Sequence, residues 1–256
     1  MDSLISDTNG LTITKDLKLR PMKCEAYTLS NSDSSVTYSQ GMTCVVAACS
    51  GPMECKLQHM NGENAYVECI YRPKAGVATI HHKLFEGIIK DTVIATFYTN
   101  KLCRAKFSVQ VQEVEDRSGL FACALNAVSL AMLMNGASMR YVFTAVHCIL
   151  DAKQRLILDP DLTESKNKLA TFTFAFENVQ RKIVTVYANG SYTRAQFNDA
   201  ELLCRAASFE VLDYFRAFIT PLYNVIRKNV GVVALDYRSS EEDDAKAENV
   251  SKNEKD

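Results

Sequence analysis

Between Gly119 and Asn135 the chain reads GLFACALNAVSLAMLMN, and only Asn126, Ser129 and Asn135 interrupt the apolar run. Such all-round apolarity predicts a helix buried on most faces, not a surface helix with one stripe. The run falls short of the roughly 20 apolar residues that a membrane span needs. Gly136 follows as a C-cap signal. The rest of the chain is expected to wrap around this helix.

Upstream, short apolar or β-branched runs at 26–29, 36–39 and 42–49 are broken by Asn31, Asp33, Gly41 and Gly51-Pro52, which predicts a meander of hairpins. Tyr66–Tyr71 alternates as a strand, and Arg72–Val77 forms a basic turn at Pro73 and Gly76. A helix over Ile80–Tyr98 follows from Phe85, Ile89, Val93 and Phe97 recurring every fourth position. In 104–114, Phe107, Val109 and Val111 alternate with polar residues, as in a half-buried strand. After the central helix come strands at Tyr141–Leu150, 156–158, 169–176 and 182–188. Asn198 with Glu201 resembles a capping box that opens a C-terminal helix with an apolar stripe of Val211, Phe215, Phe218, Leu222 and Val225. Pro221 is expected to kink or divide that helix. The order predicts an α+β or α/β protein with two β-then-α halves. Residues 1–16 are expected to form a flexible arm, 17–236 a single domain, and 237–256 a disordered tail.

Composition adds limits. The chain has 256 residues, 47% apolar and 23% charged, with a net charge of −1. Residues 238–256 hold seven acidic and four basic side chains, so the body before them is mildly basic and bulk charge identifies no partner. Nine cysteines, an odd number with no CxxC pair, read as reduced and mostly buried thiols of an intracellular protein. Four histidines without ligand spacing argue against zinc. No signal region or transmembrane segment is read, and no cofactor is expected.

No familiar catalytic motif is present. His147 reads as a hydrogen-bonded core histidine, and His81-His82 as a solvated helix face. Asp159, Asp161 and Glu164 are the cluster nearest to a metal site, able in principle to hold Mg²⁺ through oxygen, although a solvated turn at Pro160 is the plainer reading. Arg72, Lys74, Lys101, Arg104 and Lys106 stand at strand ends or on a strand face, where they could meet phosphates or be ordinary surface charge.

Three stretches then resemble RNase PH-like proteins: LRP at Leu19–Pro21, SQGMTCVVAACSGPMECK at 39–56, and EVEDRSGLFACALNAVSLAMLMNGASM around the central helix. The resemblance covers about Leu17 to Val230 and is to the ring subunits of the eukaryotic RNA exosome. It implies an α+β RNase PH fold (ribosomal protein S5 domain 2-like), two βαβα-type halves with mixed sheets. Phosphorolytic members cradle phosphate with a Gly-Thr-Arg run before the central helix, where this chain has Ser118, Gly119 and Leu120. They also place two aspartates downstream of the next strand. Here Asp159 and Glu164 match the framing acids, while the two catalytic positions fall at Ser165 and Thr171. The resemblance therefore implies a catalytically inactive subunit that assembles the ring and helps line its RNA channel, with Arg72 and Lys74 first and Lys101 and Arg104 next. Its implied partners are other RNase PH-like ring subunits, RNA-binding cap subunits, hydrolytic nucleases and RNA, with no membrane. Its implied locations are nucleus, nucleolus and cytoplasm. The alternative is a metal- or phosphate-dependent 3'-to-5' exoribonuclease or DNase acting alone or as a homodimer through Asp159, Asp161 and Glu164.

Overall fold

The computed structural model describes residues 19–60 and 62–230, with side chains to Asn224. The expected arm, the expected tail and the Val225 side chain lie outside the described residues. The chain divides into two units at Arg216/Ala217, within the last helix.

In the first unit, β1 (Met22–Ala26), β2 (Ser34–Gln40), β3 (Thr43–Glu54), β4 (Tyr66–Arg72) and β5 (Ala105–Glu115) form a mixed sheet in the order β1-β2-β3-β5-β4. Only β4 and β5 run parallel, and α1 (Ile80–Thr96) makes the crossover that a parallel pair requires. A second sheet, ordered β7-β6-β8-β9, is antiparallel throughout: β6 (Phe143–Asp151), β7 (Leu156–Leu158), β8 (Lys168–Glu177) and β9 (Ile183–Gly190). Helix α2 (Leu120–Asn135) packs against β2 and β3 on one side and β6 on the other. Helix α3 (Arg194–Val230) begins against the second sheet, where Phe197 meets Phe172 and Phe174 at 6.0 Å and 5.3 Å between ring centroids.

The central helix is buried without a break from Phe121 to Met132, as its all-round apolarity requires. Left-handed glycines bound it, Gly119 at φ 72° and Gly136 at φ 73°, the second being the usual device for ending a helix. Its one buried amide is explained by β6. Asn126 Nδ2 donates to the Ala145 carbonyl at 2.9 Å, and the Ala145 N–H donates to Asn126 Oδ1 at 2.7 Å. A helix side chain thus does for β6 what a neighbouring strand would do, so helix and sheet are locked in one register.

Several local expectations shift. The first strand lies at Met22–Ala26 and ends where Tyr27 turns left-handed at φ 56°; its place is set by pairing with β2, not by the apolar run at 26–29. Strand β3 passes through Gly51-Pro52 because the β3–β5 register skips between Ser50 and Met53, and a proline without an N–H fits a bulge. Helix α3 opens one turn earlier than expected. The Thr193 N–H donates to Gln196 Oε1 at 2.8 Å. The Gln196 N–H donates to Thr193 Oγ1 at 3.4 Å. The capping box is therefore Thr193–Gln196 and not Asn198–Glu201. Pro221 does not divide the helix, which continues to Val230 in the second unit. Val211 and Phe215 are buried as expected, while Phe218 and Leu222 of the second unit are half-exposed. The first half is completed as β4-α1-β5-α2; in the second, only a 3₁₀ turn at Glu164–Asn167 stands between strands.

Replacing Asn126 by Ala would strand both backbone groups of Ala145 in the core. Unpaired buried groups of this kind cost about 1–3 kcal/mol each. Asn126→Ala should lower unfolding free energy by about 2–4 kcal/mol in a urea titration, with an unchanged m-value.

Candidate functional site

The site is built on the turn between β5 and α2. Ser118 at φ 90° and Gly119 at φ 72° put two successive residues in left-handed conformation. The carbonyl of Ser118 accepts from Thr43 Oγ1 at 2.7 Å and from Arg20 Nη2 at 3.1 Å, and its N–H donates to Asp116 Oδ1 at 3.0 Å. A side chain at position 119 would approach Arg20 Nη2 to 3.2 Å, which adds to the preference for glycine. The N-cap position carries no side-chain cap, and the residues that open α2, Leu120 and Phe121, line the cleft.

Arg20 is held by Asp159. Its Nη2 lies 2.6 Å from Asp159 Oδ1, its backbone N–H donates to Oδ2 at 2.9 Å, and Gln40 Nε2 donates to the same oxygen at 2.8 Å. Burial opposes the Arg20 charge, but the hydrogen bond and charge of Asp159 prevail and raise its pKa. Asp159 is 5% exposed, so it is neither a solvated turn residue nor a free ligand. Asp161 and Glu164 are exposed, and Glu164 Oε2 accepts the Asp161 N–H at 3.0 Å. Among the described residues no three His, Cys, Asp or Glu side chains converge as metal ligands.

The cleft has a volume of about 290 Å³. The α2 entrance supplies Ser118, Gly119 and Leu120, the 3₁₀ turn supplies Ser165, and β8 supplies Thr171 and Thr173. The three positions singled out from the sequence, Leu120, Ser165 and Thr171, therefore share one cleft. Phe85 and Phe121 stack at 4.6 Å as one wall. Tyr187 meets them edge-on, 5.4 Å from Phe85 and 5.5 Å from Phe121, an arrangement that aromatic quadrupoles favour. Asp116 and Lys168, both exposed, are the charged lining residues.

His147 reaches the cleft from β6, with Nδ1 2.9 Å from Thr173 Oγ1. Burial pushes its pKa down to about 4, Asp159 opposes this, and Lys168 and Arg20 reinforce it. It is hydrogen-bonded as expected, yet it also lines the site. Periodicity could not reveal that, nor the approach of Lys168, Tyr187 and Asn189, because each depends on strand pairings such as His147 with Thr173. The signal for Arg20 was its place in the LRP run.

The basic candidates do not form one patch. Arg72 ends β4 and Arg104 precedes β5. Since Tyr66 pairs with Lys106 and Arg72 with Gln112, the two ends lie about 20 Å apart at the usual rise of a strand. Arg72 is exposed. Lys74 pairs with Glu115, and its N–H donates to Glu113 at 3.2 Å. Lys106 pairs with Glu68 at 2.6 Å. Lys101 and Arg104 are exposed at the far end, Arg104 at φ 62°. His82 is not a solvated residue: its Nδ1 accepts the Thr79 N–H at 2.9 Å to cap α1, and its ring stacks on Tyr71 at 6.0 Å.

A mixed sheet and an antiparallel sheet thus lie about one buried helix, with a cleft at that helix's entrance. Residues 18–138 match the model of the 3' exoribonuclease family, domain 1. The chain is 32% identical over 167 residues to "Exosome complex exonuclease RRP46 homolog" of Arabidopsis thaliana, covering 65% of this chain and 70% of the relative. It is 26% identical over 202 residues to "Exosome complex component RRP46 homolog" of Caenorhabditis elegans, covering 78% and 93%. The crystal structure of rice (Oryza sativa) Rrp46 superposes with a TM-score of 0.74 at 25% identity, over 78% of this chain and 94% of that one. The chain belongs to the RNase PH-like 3' exoribonuclease family, and its fold is the RNase PH fold.

As pH falls below 6.5, the unfolded chain takes up a proton on His147 before the folded chain does. Stability present at neutral pH should therefore fall between about pH 6.5 and pH 4, by up to about 3 kcal/mol. His147→Gln should flatten that limb in urea titrations at stepped pH. Asp159→Ala, which leaves Arg20 half-buried without its partner, should cost about 3–5 kcal/mol, read as a lowered urea midpoint.

Proposed function

We propose that this chain is a non-catalytic structural subunit of the core ring of an RNA exosome, nearest in kind to the component called RRP46 or exosome component five. In that role it assembles with other RNase PH-like ring subunits and supports 3'-to-5' RNA processing and degradation. RNA-binding cap subunits and hydrolytic nucleases complete the machine, at work in nucleus, nucleolus and cytoplasm. The names of the relatives support the assembly. The observation that carries the loss of catalysis is the make-up of the cleft. Leucine replaces the cation expected at the helix entrance, and a serine and a threonine replace the two carboxylates. Anion capture needs a fixed cation with the helix amides, and metal or acid work needs carboxylates. Arg72 is the stronger channel-lining candidate, since Glu115 already meets the charge of Lys74.

A second reading, phosphate-dependent trimming, is favoured by the uncapped first turn of α2 beside Lys168 in the same cleft. Two measurements separate the readings. Affinity purification with native sizing should recover five other RNase PH-like chains. Purified chain, given inorganic phosphate, Mg²⁺ and a single-stranded RNA, should release no nucleoside diphosphate. Phosphate-dependent release that is lost on Lys168→Ala would establish the second reading. In the assembled ring, Arg72→Glu should shorten the RNA protected from nuclease and leave ring mass unchanged.

A further inference from the structure

The end of the molecule away from the cleft carries an arrangement of rings and cations that neither the fold nor the cleft uses. Tyr98 lies just after α1, and two cations sit over its ring: Lys101 Nζ at 4.7 Å and the Arg140 guanidinium carbon at 5.3 Å. The frame is fixed by the backbone. Tyr98 N–H donates to the Ser138 carbonyl at 3.0 Å, Arg140 N–H to Thr96 at 2.8 Å, and Ala65 N–H to Thr99 at 2.9 Å. The last bond brings in a second aromatic group. His59 stacks on Tyr66 at 4.6 Å with 10° between planes, and Lys90 lies 5.6 Å from the Tyr66 ring. His59, Lys101, Arg104 and Arg140 are exposed.

Two cations of this end are held differently from the ion-paired ones. Lys23, Lys74, Lys83, Lys106, Arg117, Arg155, Arg205 and Arg216 each pair with a carboxylate. Lys101 and Arg140 rest on an aromatic face, which orients a cation without neutralising it. In sequence, segments 56–65, 97–104 and 136–141 contain Lys56, Lys101, Arg104 and Arg140 against a single carboxylate, Glu63. Cations in excess, interleaved with aromatic and imidazole rings, suit a polyanion with flat bases, which stack while their phosphates meet the cations. An acidic peptide would use the cations and leave the rings idle.

We propose that this surface, centred on Tyr98, Lys101 and Arg140 with His59 at its margin, binds single-stranded RNA outside the cleft and away from Arg72. The inference rests on the reading that this chain handles RNA, and it adds a second contact region about one strand length from the first.

The test uses the full chain and a fluorescein-labelled oligouridine, followed by anisotropy over a range of salt concentrations. Lys101→Glu with Arg140→Glu should weaken binding roughly tenfold or more and make the slope of log K against log salt shallower by about 1.4, at about 0.7 per lost phosphate contact. Tyr98→Leu should weaken it while keeping both charges, and Lys153→Glu, an exposed charge outside both contact regions, should leave it unchanged. Coincident melting curves would show that the variants fold. Crosslinks formed by ultraviolet light should map to the peptides that hold His59 and Tyr98. Equal binding by parent and double variant, with loss on Arg72→Glu, would overturn the inference and leave the ring-subunit reading standing. Absence of RNA binding by the parent chain would overturn it too, while co-purification with ring subunits still judges that reading. Equal affinity for polyglutamate would overturn it in favour of an acidic protein partner.

Discussion

The contact between Asp159 and Arg20 is the constraint on which the site depends. Taking two charges out of water costs several kcal/mol per ion, and attraction offsets it only when the remaining hydrogen-bonding capacity is filled. Asp159 comes close to meeting that condition, with two donors from Arg20 and one from Gln40. Arg20 directs the rest of its guanidinium to the carbonyls of Arg117 and Ser118, and Nε is left without a partner among the described residues. One ion pair therefore ties the segment before β1, the end of β2, the α2 entrance and the turn after β7. The left-handed pair Ser118–Gly119 is held in place by it.

Around that fixed turn the cleft has the form of a binding site with few charges. Its polar groups are mostly hydroxyls, an amide and an imidazole kept neutral by burial, and its wall is a stack of aromatic rings. The same ring, Phe121, begins the buried face of α2. Packing has thus advanced to the first turn of the helix. Asp159, one of the three acids that the sequence offers as a possible metal cluster, serves instead to hold Arg20.

The sequence reveals what depends on near neighbours. The all-round apolarity of 119–135 marked the central helix almost to the residue, and alternation in 104–114 marked β5, because burial on a helix or strand imprints its own period. The sequence was less clear where distant pairing decides. Strand β3 crosses Gly51-Pro52 because β5 accepts a skip in register, and the helix cap read at Asn198 and Glu201 lies at Thr193–Gln196 instead. The same holds for the site. Leu120, Ser165 and Thr171 came from a resemblance and do share a cleft. The burial of Asp159 and the separation of Arg72 from Arg104 follow from contacts that no local pattern encodes.

Arg20 and Asp159 stand 139 positions apart in the chain. During synthesis the chain grows from its N-terminus, so Arg20 waits for its partner until most of the first unit has left the ribosome. Strands β1 to β5 and helix α2 can meet before then, but the α2 entrance acquires its anchor only when the turn after β7 arrives. The cleft is therefore a late product of folding. A nascent or truncated chain that stops before Asp159 presents that entrance unanchored, and this physical difference separates finished from unfinished copies before either meets a partner.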